Sequence, residues 1–205
     1  MSISDVEICN LALSKIGQST INSLTEASVE AEACALYYPN VRDALLRSYP
    51  WNFCSKSVSL GETSEDIPEN SFWKYLYVHP SDCLRVQKIF EKGCYALDVP
   101  NDYEIISYQS VKYICCDIYQ AYCRYSQAIE DPTMFDSCFI DAFSCKLAAE
   151  LAIPITNSTD RLKIAMQLYQ SSIQAAMMTN AIEGADQKFM SEHQQATMKY
   201  VNCRR

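Results

Sequence analysis

The side chains here that could do chemistry are eleven cysteines, two histidines and twenty-five carboxylates, and their spacing gathers few of them. The cysteines stand at 9, 34, 54, 83, 94, 115, 116, 123, 138, 145 and 203, without a Cys-x-x-Cys pair. His79 and His193 are far apart, so the paired spacing of a structural zinc site is missing. Cys54 or Cys83 with His79 is the imaginable nucleophile and base, but no local feature marks either thiol as activated. Glu65/Asp66 and Glu130/Asp131 are carboxylate pairs, read as a solvated loop and a helix start. A two-carboxylate glycosidase pair would meet only in space, so sequence leaves that possibility open. With four glycines in the chain, there is no phosphate-cradling loop, dinucleotide fingerprint, nucleophile elbow or His-Glu-x-x-His motif. The expectation is a non-enzyme with no catalytic residue, no metal and no cofactor. The cysteines read as small buried hydrophobes.

Charge narrows the partners. The formal net charge is −8, and the longest basic run is Arg204-Arg205. Tight DNA binding needs a lysine and arginine footprint that this chain lacks. An acidic wall past which a duplex slides is compatible with it. The apolar runs are short and broken by charges, so no segment is expected to span a bilayer. The start, Met1-Ser-Ile-Ser-Asp-Val-Glu7, has no basic n-region or apolar h-region, which argues against a signal peptide and for reduced thiols.

The elements that would position these residues are helical at both ends. Ser4 and Glu7 have capping-box spacing, and Val6, Cys9, Leu13 and Ile16 share one side of a helix ending at Gly17. A second helix is expected from about Ser28 to Tyr49, with Pro39 inside it and Leu36, Val41, Leu45 and Tyr49 as its stripe. Pro50 stops it by steric conflict, and Trp51 and Phe53 place a large apolar area just beyond. Trp51 is expected to fill a junction between helices and sheet, and Arg42 to pair with an acidic neighbour.

From 51 to 129 the pattern turns to strands. Val58–Leu60, Trp73–Val78, Leu84–Phe90, Tyr103–Tyr108, Val111–Cys115 and, less clearly, Tyr119–Ala128 read as one small sheet with a turn at His79–Asp82. Helix returns at Asp131-Pro132, an N-cap followed by proline, with Phe135, Phe139, Ala142, Cys145 and Ala149 inward and Pro154 as the stop. A fourth helix begins at Asn157 or Ser158, buries Leu162, Ala165, Tyr169, Ile173 and Ala176, and is expected to stop at Gly184. Residues 185–205 are polar, with scattered apolar side chains. The expected fold is α+β, mainly α: a helical bundle body (1–50 and 130–184), an inserted small antiparallel β subdomain (51–129) and an extended C-terminal arm (185–205).

Four segments carry a family likeness. They are Ile8-Cys-Asn-Leu-Ala-Leu-Ser-Lys-Ile-Gly17; Leu36-Tyr-Tyr-Pro-Asn-Val-Arg-Asp-Ala-Leu-Leu-Arg-Ser-Tyr-Pro-Trp-Asn-Phe53; Trp73-Lys-Tyr-Leu-Tyr-Val-His-Pro-Ser-Asp-Cys-Leu-Arg85; and the segment Asp131–Ala152. In this order they resemble the tail tubular protein A family of short-tailed phages, the head-to-tail adaptors, over roughly residues 5–184. The resemblance implies a structural virion protein at the head–tail junction, assembled in the host cytoplasm. It implies a homo-oligomeric ring of about twelve subunits, docked on the portal protein and offering a platform to the tail tube or nozzle protein. Double-stranded DNA would pass through its lumen without sequence-specific binding, and no membrane would be involved. Closed rings use repeated heterologous contacts, and twelve copies at −8 give roughly −96, a sliding surface. The late cysteines and residues 185–205 depart from the family's pattern. Phe189, Met190 and Tyr200 are the candidate portal-docking residues; Arg42, Pro50, Trp51 and Phe53 are the candidate structural anchor. Two rival readings remain: a tail-associated polysaccharide or cell-wall hydrolase using paired carboxylates, and a cytosolic regulatory helical domain unrelated to phage.

Overall fold

The computed structural model describes residues 3–63, 72–91 and 101–202, with residues 185–202 described by backbone alone. The chain divides into two compact units, one of residues 1–45 and 131–205, the other of residues 46–130. The fold is α+β and mainly α.

The first unit is helical. Helix α1 (Asp5–Lys15) starts on the expected capping box, with Glu7 N–H donating to Ser4 Oγ at 3.2 Å and Ser4 N–H to Glu7 Oε2 at 2.8 Å. It ends where Gly17 takes the left-handed φ of +66° that glycine adopts without steric cost. Asn10 holds the following connection, exchanging hydrogen bonds with Ile21 N–H and C=O at 2.8 and 2.9 Å. Helix α2 (Val29–Ser48) begins on Ser28, whose Oγ accepts from Ala31 N–H, and continues through Pro39. Ala31, Cys34, Tyr38, Val41 and Leu45 are buried at alternating steps of three and four residues, and Leu46 is buried beside Leu45. The expected stripe therefore holds at Val41 and Leu45 and fails at Leu36, which is 62% exposed. Tyr38 and Leu36 are two positions apart, about 200° round the helix, so both cannot face the core.

Two helix boundaries also differ from expectation. Asp131 does act as a cap, but of a short 3-10 turn (Pro132–Met134); helix α3 (Ser137–Thr156) starts later, on Asp136. Pro154 lies inside its last turn, and the stop is Asn157, left-handed at φ 50°. A proline near a helix end costs little more than the one bond it cannot donate. Phe135, Phe139, Ala142, Cys145 and Ala149 are buried as expected. Phe135, Phe139 and Phe143 form an aromatic triangle that Tyr38 joins at 4.9 Å from Phe143.

Helix α4 (Thr159–Asn202) runs through Gly184 rather than stopping there. An interior glycine costs only about 1 kcal/mol against alanine, too little to end a helix without a left-handed turn. The arm expected at 185–205 is thus helical in backbone as far as Asn202.

Among the described residues, the second unit holds six antiparallel strands in two sheets, where the sequence pattern reads as one. Strands β1 (Ser55–Ser59), β6 (Tyr122–Gln127) and β3 (Cys83–Phe90) form one sheet, in the order β1-β6-β3. Strands β2 (Tyr75–Val78), β5 (Val111–Cys116) and β4 (Tyr103–Tyr108) form the other, in the order β2-β5-β4. Residues of both sheets share a core of Leu60, Tyr77, Val86, Ile89, Ile114 and Tyr125, among others. Leu76, Tyr113 and Cys115 form a second cluster, on which Trp73 and Ile106 pack. The link between β4 and β5 is a two-residue hairpin, Gln109-Ser110, with φ 49° and 65°. Both values are left-handed, as a type I′ turn requires.

Candidate functional site

Pro50, Trp51 and Phe53 of the predicted anchor lie in the second unit, and Arg42 in the first. Trp51 is 1% exposed, and its ring centroid lies 5.1 Å from that of Tyr49 and 6.3 Å from that of Phe53. Its carbonyl accepts from Ser55 Oγ at 2.7 Å, which fixes the chain as it enters β1. Phe53 is half-buried and Pro50 exposed, so the stop faces water while the indole fills the core. Arg42 donates to Asp43 Oδ1 at 2.8 Å, an acidic neighbour as expected. The last turn of α2 is tied to β3: Arg47 Nη1 donates to the Leu84 carbonyl, and Arg85 Nη1 to the Ser48 carbonyl at 3.3 Å.

Asp82, which sequence reasoning passed over as a turn residue, is a second node of this unit. Its Oδ2 accepts from Lys56 Nζ at 3.0 Å and its Oδ1 from Tyr125 Oη at 2.8 Å. Its carbonyl accepts from Ala128 N–H at 2.8 Å. Partial burial alone would raise its pKa, but the bonds from Lys56 and Tyr125 outweigh that and hold the carboxyl below its ordinary value. One carboxylate thus joins β1, β6 and the turn before β3.

Shallow grooves lie among the described residues of this unit. One, of about 440 Å³, is lined by Ser59, Leu60, Glu62, Tyr119, Gln120 and Tyr122. Another, of about 470 Å³, is bounded by Lys56, Val58, Pro80, Asp82 and Tyr125, with further residues from β1 and β2. Among the described residues, the first groove is lined by the carboxylate of Glu62 and the second by that of Asp82. Glu65 and Asp66 lie outside the described residues. Asp131 accepts from Thr133 N–H at 2.9 Å and Oγ1 at 2.7 Å, and these bonds lower its pKa; it acts as a cap.

Neither imagined thiol is activated. Burial pushes the Cys54 and Cys83 thiols up to about 11, so both stay protonated at neutral pH. Burial likewise lowers the His79 pKa, and its Nδ1 lies 2.9 Å from the Pro80 carbonyl. Cys123 is pushed up to about 12 and Cys115 and Cys116 are raised, all by burial first. These five cysteines behave as packing groups. Among the described residues, no three His, Cys, Asp or Glu side chains gather as a metal set. No described helix is long and apolar enough to cross a membrane.

The feature most suggestive of function is on α4. Its inward stripe is the expected one: Ala165 and Ala176 are buried, and Leu162, Tyr169 and Ile173 partly so. A second stripe, at 164, 168, 171, 175, 178 and 182, repeats on a seven-residue period and is exposed throughout. It carries Ile164, Leu168, Met178 and Ile182, of which Met178 is 69% and Ile182 64% exposed. At 1.5 Å per residue this seam is about 27 Å long. A second heptad count along α4 would have found it in the sequence; attention to the inward stripe alone hid it. Phe189, Met190 and Tyr200 lie on the α4 backbone beyond this seam, and their side chains are outside the described residues.

No family model matches the sequence, and no curated protein matches it.

Proposed function

We propose that this chain is a head-to-tail adaptor of a short-tailed phage: a structural subunit that closes into a ring on the portal vertex. In this reading the ring continues the DNA channel and gives the tail tube or nozzle its platform. The observation that carries the reading is the exposed heptad seam of α4. A solvated monomer gains nothing from four large apolar side chains in one register, whereas a subunit contact buries them. The occupant of the seam is a neighbouring copy of the same chain, since a ring repeats one heterologous contact.

Three further features support it. The segments resembling the adaptor family coincide with elements that hold the fold: α1, the Trp51 anchor, the Asp82 clasp and α3. The charge of −8 suits a lumen that repels phosphate. The anchor residues Arg42, Pro50, Trp51 and Phe53 are assigned a structural role and no ligand.

In the same reading, the 185–205 arm docks on the portal through Phe189, Met190 and Tyr200. The test is pull-down and electron microscopy of the protein mixed with the portal from the same genome. Stacked rings that disappear when 185–205 is deleted are expected; unchanged portal binding by the truncated chain would remove the arm from the proposal. Release of sugars from host surface polymer, abolished by exchanging two carboxylates, would favour the hydrolase reading instead.

A further inference from the structure

We propose that Lys15 and Cys145 form an oxidative cross-linking site, closed by a peroxide into a sulfenamide bridge between α1 and α3. The proposal is independent of the ring. Lys15 Nζ, in the last turn of α1, lies 2.9 Å from Cys145 Sγ and 2.7 Å from Asp141 Oδ1. Asp141 and Cys145 are four residues apart on α3, one turn, so both point at the same lysine. Cys145 is 2% exposed but the Asp141 side chain is 60% exposed, so the cluster opens to water through the carboxylate. Burial works against the Lys15 ammonium, yet the bonds to Asp141 and Cys145 outweigh it and raise its pKa. Ammonium, sulfur and carboxylate are in contact before any oxidant arrives.

The chemistry closes in two steps. Cys145 sulfur attacks one oxygen of hydrogen peroxide, the O–O bond breaks, and sulfenic acid and water form. Sulfur is oxidised and peroxide reduced, and the thiol proton leaves with the departing hydroxide as water. The Lys15 ammonium then passes a proton to Asp141, and the freed nitrogen lone pair attacks sulfur. The S–O bond breaks, and the departing hydroxide takes a second nitrogen proton to leave as water. The product is an N–S bond between Lys15 and Cys145, a protonated Asp141 and a second water. Two thiols reverse it: the first takes the cysteine sulfur as a mixed disulfide and frees the amine, and the second releases Cys145 as the thiol and leaves as a disulfide.

The bridge would pin the end of α1, where Arg161 of α4 already donates to the Ile16 carbonyl at 2.6 Å. The full-length protein is treated with hydrogen peroxide, quenched and mapped by peptide mass spectrometry without reductant. The expected product is a Lys15 peptide joined to a Cys145 peptide, lighter than their sum by two hydrogens. It should be uncut by trypsin at Lys15 and restored by dithiothreitol. Lys15→Arg keeps the cation and should lose the joined peptide, leaving Cys145 to proceed to sulfinic acid; Cys145→Ser should lose it as well. Cys145 left unoxidised in the wild type, or oxidised with its Lys15 peptide unjoined, would overturn the proposal. So would a joined peptide of undiminished yield in Lys15→Arg.

Discussion

At the scale of single residues, the two nodes of the β unit differ in how far the sequence announces them. Trp51 is legible in the sequence, because a bulky aromatic directly after a proline stop has few places to go except a core. Trp51→Ala should cost about 3–5 kcal/mol of unfolding free energy, read from urea or guanidinium titration. A loss under 1 kcal/mol would mean the indole is not the packing anchor. Asp82 was not legible as a node, because its partners Lys56 and Tyr125 stand 26 and 43 residues away along the chain. Its folded pKa is depressed, so its contribution is present above the unfolded carboxyl value and is lost as pH falls through the folded one. Asp82→Asn should therefore lower stability at neutral pH and flatten the acid limb of the stability curve. An acid limb identical to that of the wild type would contradict the clasp.

At the scale of elements, caps and stripes were readable because they are local. The Ser4/Glu7 box, Gly17, Ser28 and the α3 stripe all rest on contacts within a turn or two of helix. Leu36 went astray because an apolar residue was counted without testing its phase against Tyr38. Pro154 and Gly184 misled because residue type alone does not end a helix; Asn157 does, through its left-handed backbone. The division into two sheets depends on which strands pair across the chain, and β1 with β6 is a pairing no local pattern announces. The Gln109-Ser110 hairpin is a strained choice for two left-handed positions. Ser110→Gly should stabilise the protein by about 1 kcal/mol, since a left-handed L-residue costs of that order. Calorimetry showing no rise in Tm would put the hairpin in another turn type.

At the scale of the whole molecule, the question is assembly. The exposed seam of α4 lies where charge substitution should leave the fold alone, because Leu168 and Met178 are already in water. Leu168→Glu with Met178→Glu should keep the circular dichroism and unfolding midpoint of the wild type while abolishing any ring. Loss of the fold instead would show that the seam is part of the core. The most direct measurement is the native mass of the purified protein, alone and mixed with the portal from the same genome. A ring-sized species is expected, in both samples or only with the portal, and the double glutamate variant should not form it. A monomer in both samples, wild type and variant alike, would contradict the adaptor reading.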